Sequence, residues 1–206
     1  MTGILIRGDN MFNIKFKGKY TNENQLTKAQ LPSKAIMFKE PNNITGVFLL
    51  GGLISLPMIV ITFIGLIGKI NLTVELIGVS SVISMILVYL HEFIHALSFP
   101  KNMKKEIWTK FDELALFVYC NEAVSKTRFI WVSIAPNLIL GFIPFILFIM
   151  GVFDFNNFIR DLIGFTSWVM IISGIGDYLN IYNAIRQVPN KAYIINSGFH
   201  SFWFKL

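Results

Sequence analysis

Residues 76–99 read LIGVSSVISMILVYLHEFIHALSF and combine a long apolar run with a cluster of ionisable side chains. A helix needs about 20 apolar residues to cross the ~30 Å hydrocarbon core of a bilayer, so the stretch is long enough to span a membrane. It nevertheless carries His91, Glu92 and His95 near its end. Ionisable groups are costly at this depth unless they have partners inside the protein. The stretch therefore predicts a transmembrane helix with a polar site near one end.

Three further apolar stretches of similar length lie at residues 47–66, 129–153 and 162–181. The chain of 206 residues is 54% hydrophobic and 15% charged, whereas soluble globular chains carry about 25% charged residues. This composition excludes an ordinary soluble domain, a disordered chain and a coiled coil. It predicts an all-α membrane protein with about four transmembrane helices.

Basic residues alternate in number between successive connections. Of the 18 Lys and Arg residues, 16 lie in residues 1–46, 100–128 and 182–206, and two lie in residues 67–75 and 154–161. Lys and Arg near span ends stay on the cytoplasmic side. We therefore expect a multi-pass protein of the cell membrane with both termini and the 100–128 loop in the cytoplasm.

This topology divides the chain into three parts: a cytoplasmic N-terminal segment at 1–46, a transmembrane core at 47–185 and a cytoplasmic tail at 186–206. The net charge of +6 is typical of loops that face anionic lipid. The bilayer is therefore the expected partner surface, and we expect no nucleic-acid partner. No cleavable signal peptide is evident, so we expect the amino terminus to be retained.

The cytoplasmic loop has the character of two strands. Residues 107–111 and 114–118 are rich in β-branched and aromatic side chains and flank Asp112 and Glu113. This pattern predicts a small cytoplasmic β-hairpin. Residues 11–19 alternate apolar with polar side chains, which suits a short strand or an interfacial segment.

The HEFIH sequence at residues 91–95 has the spacing of a zinc site. Histidines four residues apart lie on one face of a helix, so His91 and His95 can bind one metal ion, while Glu92 beside them can act as general base. Zinc suits two imidazoles with a further protein ligand and water. The alternative is that both histidines are free of metal and face other helices.

A third protein ligand is needed, and topology favours Asp177. The fourth span runs inward like the second, and Asp177 lies about 6 Å from its cytoplasmic end, as His95 does, at 1.5 Å per residue. His200 in the tail is an alternative ligand, and Asp177 could instead be an acid facing water at a helix end. Three other acids are expected near the outer face and too far away: Glu75, Asp154 and Asp161.

The third span contains Ala135, Pro136 and Asn137. Proline removes one helical hydrogen bond and exposes a carbonyl. An asparagine beside this break in a membrane needs a partner, so Asn137 could hold a substrate backbone or an oxyanion. Equally, Asn137 could only cap the kink.

These ordered motifs resemble the site-2-protease-like intramembrane zinc metalloproteases. More closely, the chain looks like a small bacterial group described as putative zincin membrane peptidases. The resemblance covers roughly residues 47–185. It implies a multi-pass helical enzyme that cuts membrane-associated peptides, with His91 and His95 as zinc ligands and Glu92 as base. Asp177 lies in Gly-Asp-Tyr-Leu-Asn and not in the Asn-Pro-x-x-x-x-Asp-Gly pattern of the site-2 proteases.

The function that follows is an intramembrane zinc metalloprotease of the HExxH type. It would hydrolyse peptide bonds of membrane proteins or peptides near the cytoplasmic face. The alternative is a non-catalytic zinc-binding regulator or a transporter subunit. Glu92 separates the two, because a site that only binds zinc has little use for an unligated carboxylate. The sequence indicates neither the substrate nor the oligomeric state.

Overall fold

The computed structural model describes residues 12–41, 43–110 and 115–206. Its helices are α1 Ile44–Leu66, α2 Val74–Ser98, α3 Lys126–Asn137, α4 Ile143–Ile149, α5 Asn157–Ser173 and α6 Ile175–Gln187. A π-helical turn at Leu138–Phe142 joins α3 to α4. A short 3-10 helix covers Glu23–Gln25.

Several of these helices are long and apolar enough to cross a membrane. Within the described residues, three continuous segments qualify: Thr45–Leu66, Val74–Ser98 and Lys126–Ile149. The pair α5 and α6 qualifies as a fourth if it is counted as one span bent by 49°. The predicted helical, membrane-compatible architecture is confirmed at this level.

Polar side chains begin the four long helical segments. Each side chain before a segment accepts a hydrogen bond from a backbone N–H in the first turn, which would otherwise lack a partner. The four residues are Asn43, Thr73, Ser125 and Asn156. These caps place each start at the boundary between a polar connection and an apolar run.

The described residues also form seven strands, so the all-α description with one hairpin was too narrow. The strands are β1 Ile14–Lys19, β2 Ile36–Met37, β3 Lys105–Lys110, β4 Ala115–Tyr119, β5 Val124–Ser125, β6 Tyr193–Ser197 and β7 His200–Phe204. The predicted hairpin is present as antiparallel β3 and β4. Its predicted turn at Asp112 and Glu113 lies outside the described residues.

Two sheets result. In the first, which we call the hairpin sheet, β1 runs parallel to β3 and the order is β1-β3-β4. In the second, the tail sheet, the order is β2-β7-β6-β5 and all pairs are antiparallel. The tail at 186–206 therefore contributes two strands of a sheet, and the N-terminal segment supplies a strand to each sheet.

The sheets lie at one end of the helices and the short connections at the other. The hairpin sheet packs on the last turns of α2 through Ile14, Ala96 and Ile107. At the opposite end, the Asn71 backbone N–H donates to the Asp161 carboxylate over 3.0 Å and so ties the connection between α1 and α2 to the start of α5.

The helices pack so that α2 lies between α3 and α5, while α6 contacts α1 and α3. Gly174 separates α5 from α6 at the bend. Gly51 on α1 faces Ile175 so closely that a Cβ atom there would lie 2.8 Å from the Ile175 carbonyl oxygen. The close approach at Gly51 lets α1 pack against the bend and brings the start of α6 into the bundle.

Candidate metal centre

Helix α2 carries both histidines on its buried face. His91 is 6% exposed and His95 is 9% exposed, and Ser84 and Ser80 continue the same face toward the start of the helix. Steps of four and seven residues keep these side chains on one face of the helix. The two imidazole rings lie 4.8 Å apart between centroids and are nearly perpendicular.

Helix α6 brings Asp177 to the two histidines. Its Oδ2 atom lies 3.1 Å from His91 Nε2, and its Oδ1 atom lies 3.2 Å from His95 Nε2. The two Nε2 atoms are 3.1 Å from each other. Three side chains that the sequence analysis singled out, two from α2 and one from α6, therefore meet at one point.

These distances match the spacing of ligands around a zinc ion. Two ligand atoms bound at 2.0 to 2.1 Å in tetrahedral geometry lie about 3.3 Å apart. Two imidazole nitrogens and a carboxylate also form the donor set that zinc takes in hydrolytic sites. The residues present fit the metal in both spacing and chemistry.

His95 is oriented by a backbone carbonyl of α3. Its Nδ1 atom lies 2.7 Å from the Val132 oxygen. A carbonyl oxygen only accepts, so Nδ1 carries the proton, and the neutral imidazole presents the Nε2 lone pair to the site. Since Val132 lies four residues before Pro136, this is the carbonyl that lost its helical donor. The carbonyl that Pro136 was predicted to expose is therefore the carbonyl of Val132.

Asn137 contacts Asp177 and not an open cleft. Its Nδ2 atom donates to Asp177 Oδ2 over 2.7 Å, and the residue is fully buried. Its side chain packs against Gly174, where a Cβ atom would overlap the amide group. Asn137 makes no side-chain cap on the following turn. A role in holding substrate or an oxyanion stays a prediction.

Glu92 lies beside the histidines on the side of the hairpin sheet. One of its carboxylate oxygens and one nitrogen of each histidine all lie within 4.8 Å of one another. The backbone N–H of Val118 in β4 faces this carboxylate. Sequence reasoning missed this contact, because a backbone amide carries no side-chain signal.

The other candidates lie elsewhere. His200 is in β7, where its Nδ1 atom lies 3.6 Å from the Glu40 carboxylate. Glu75 is in the first turn of α2, at the opposite end of that helix from His91 and His95. Asp161 is buried and accepts from Asn71 and Arg160, so it has a structural role at that end.

The single cysteine of the chain has no place in this chemistry. Cys120 is 2% exposed and lies in the apolar cluster between the helix ends and the tail sheet. Burial raises the pKa of its thiol to about 11. At neutral pH the side chain is therefore a protonated thiol and not a nucleophilic thiolate.

A protein-family model matches the part of the chain that contains the candidate site. The family described as putative zincin peptidase matches residues 84–193, which is more than half of the chain and includes both histidines, Glu92 and Asp177. Neither the curated proteins nor the solved structures contain a significant match. On the strength of the family match, this chain belongs to the putative zincin peptidase family.

Proposed function

We propose that the protein is a zinc metallopeptidase in which His91, His95 and Asp177 hold the metal and Glu92 moves the proton. One observation carries the proposal: ligand atoms from α2 and α6 converge to within 3.1 to 3.2 Å of one another inside the helical core. Membership of a zincin family supports the same reaction class.

Zinc, when bound, acts as a Lewis acid and lowers the pKa of water to about 7. The protein's own contribution is to position the metal ligands and to transfer protons. Glu92 lies close enough to the histidines to accept a proton from the attacking water and to deliver it to the leaving amine. The Val118 N–H faces this carboxylate and would hold it toward the site by donating to it.

The proposed cleavage takes place within the membrane, near its cytoplasmic face. What supports this is that α2 is long and apolar enough to span a bilayer, while His95 lies close to its end. The hairpin and tail sheets lie at that same end, and their segments hold most of the basic residues. The protein would accordingly reside in the cell membrane with both termini inside.

The proposed substrate is a membrane protein or peptide whose chain is extended at the cleavage site. Strand β4 is at the edge of the hairpin sheet as described, and it borders Glu92 through Val118. An edge strand can add an extended peptide by main-chain hydrogen bonds. A substrate paired there would present its peptide bond beside the base.

The decisive experiment compares Glu92→Gln with His91→Ala. Glutamine keeps the shape of the side chain but cannot act as base, so the variant should retain zinc and lose cleavage. His91→Ala should lose both. The readouts are elemental analysis of the purified protein and cleavage of a membrane-peptide library in liposomes.

Two results would contradict the proposal. If Glu92→Gln cleaved as fast as the wild type, Glu92 would not be the base. If the wild type bound zinc but cleaved no peptide, the site would serve a non-catalytic regulator or a transporter subunit.

A further inference from the structure

The break at the end of α3 contacts two of the three proposed zinc ligands. Val132 O accepts from His95 Nδ1 over 2.7 Å, and Asn137 Nδ2 donates to Asp177 Oδ2 over 2.7 Å. Pro136 lies between these two contacts and is fully buried, like Asn137. One short stretch of α3, from Val132 to Asn137, therefore reaches ligands from both α2 and α6.

Pro136 explains why the Val132 carbonyl is available. In a regular helix this oxygen would accept from the backbone N–H four residues later, at position 136. Proline has no N–H, so the carbonyl lacks that donor. The buried oxygen instead accepts from His95, which fixes the tautomer and the orientation of the ring.

Asn137 is oriented by the carboxylate it contacts. A carboxylate only accepts, so the amide nitrogen and not the oxygen must face Asp177. Its Oδ1 atom is then left buried without a hydrogen-bond partner among the described residues. Burying such an atom is costly, and a native protein rarely keeps one without a reason. The hydrogen bond to Asp177 explains why the Asn137 amide is kept in this orientation, whereas a kink in the helix would not require it.

We infer that Pro136 and Asn137 are positioning residues of the metal centre: Pro136 frees the Val132 carbonyl to orient His95, and Asn137 orients Asp177. The inference rests on the proposed zinc site. It assigns both residues to the metal and not to the substrate. Groups that orient zinc ligands typically change metal affinity about 10- to 100-fold when they are lost.

The first test replaces Pro136 by alanine in the full-length protein. Alanine restores an N–H that competes with His95 for the Val132 oxygen, so the zinc Kd should rise about tenfold or more. Pro144→Ala is the matched control, because Pro144 is also helical but its i−4 carbonyl belongs to Leu140. This control should leave the zinc Kd unchanged. Competition with a chromophoric chelator measures both.

A backbone variant separates the missing N–H from the proline ring. Incorporating lactate, the α-hydroxy analogue of alanine, at position 136 removes the N–H without restoring the ring. If the missing N–H matters, this variant should regain the wild-type zinc Kd. Nitrogen NMR of the zinc-loaded protein adds a direct signature, because Pro136→Ala should shift the His95 Nδ1–H resonance and leave His91 unchanged.

The second test replaces Asn137 by leucine, which has a similar volume and no donor. The zinc Kd should rise about 10- to 100-fold. Asn183→Leu is the control, since Asn183 is equally buried in α6 and bonds to Gln187 without contacting the site. It should leave the zinc Kd unchanged.

The outcomes distinguish this inference from the proposed function. A folded wild-type protein that binds no zinc would overturn both. A wild-type protein that binds zinc, with unchanged affinity in Pro136→Ala and Asn137→Leu, would overturn only the positioning role. Loss of zinc affinity in the lactate variant equal to that in Pro136→Ala would overturn the role of the freed carbonyl.

Discussion

Two polar side chains of the site face backbone polar groups. His95 donates to the Val132 carbonyl, and the Val118 N–H faces the Glu92 carboxylate. Backbone groups have fixed positions within a helix or a strand, so they lose little freedom when they orient a side chain. At the residue scale, the chemistry of the side chains thus depends on the neighbouring strand and helix.

The Val118 contact gives a prediction for catalysis. Val118→Pro removes the N–H, and a hydrogen bond to a charged group is strong enough that turnover should fall about tenfold or more. Zinc content should stay at the wild-type level, because Val118 contacts no ligand. Proline is tolerated here because this N–H points away from β3, as at a sheet edge. Peptidase turnover and elemental analysis are the readouts.

Val118→Ala is the control, since alanine keeps the N–H and should keep the turnover. Amide exchange tests the contact without any substrate. Exchange at Val118 should accelerate in Glu92→Ala and stay slow in Glu92→Gln, which keeps an acceptor. Equal exchange in the wild type and Glu92→Ala would show that the hydrogen bond does not form.

The residues of the candidate site could be identified from sequence because their chemistry is carried by side chains. The HEFIH spacing and the matched depths of His95 and Asp177 placed three groups together, and they lie within 3.2 Å of one another. The partners of these groups could not be identified in the same way. Only Pro136 indicated such a partner, because proline leaves a helical carbonyl without its donor. The sequence did not predict that His95 would donate to this carbonyl.

At the scale of elements, hydropathy located the apolar spans but did not predict where their helices begin, end or bend. The span predicted at 162–181 corresponds to two helices, α5 and α6, which together extend from Asn157 to Gln187. Charged and polar residues at both ends lowered the hydropathy there although they continue the helix. The bend follows Gly174, where the Asn137 side chain occupies the space of a Cβ atom.

The third span shows a related difference. One span with a break at Pro136 was predicted at 129–153, and α3, the π-helical turn and α4 occupy this region. Hydropathy reports only that a segment is apolar, so it does not detect a change of helical pitch. The change follows Pro136 directly, and π-helical turns are frequent near functional sites.

The strands were the least predictable elements. β3 and β4 are adjacent in sequence, and their hairpin was predicted. The tail sheet joins β2, β5, β6 and β7 from distant parts of the chain, and β2 and β5 have two residues each. A strand of two residues is too short to show a periodic pattern in the sequence.

At the scale of the whole molecule, the distribution of basic residues agrees with the fold about which parts of the chain lie at the same end. The basic segments meet in the two sheets at one end, and the short connections lie at the other. We expect the end with the sheets to be cytoplasmic. The His91, His95 and Asp177 cluster would then open toward the cytoplasm.

Cysteine labelling in intact cells tests this topology. In a Cys120→Ser background, Lys101→Cys and Lys205→Cys should resist a membrane-impermeant maleimide until the cells are opened. Lys69→Cys and Phe155→Cys should react from outside. All four positions are exposed in the structure. Labelling of position 101 from outside would reverse the proposed orientation.

The zinc content of the purified protein, measured for the wild type and for Asp177→Ala, is the sharpest test of the proposed metal centre. The wild type should hold one zinc per chain. Asp177→Ala should lose more affinity than the roughly 10- to 100-fold expected for a group that only orients a ligand. Asp154→Ala is the control, because Asp154 is an exposed acid in the connection after α4, and it should keep the metal. A folded wild type without zinc, or full zinc in Asp177→Ala, would contradict the account.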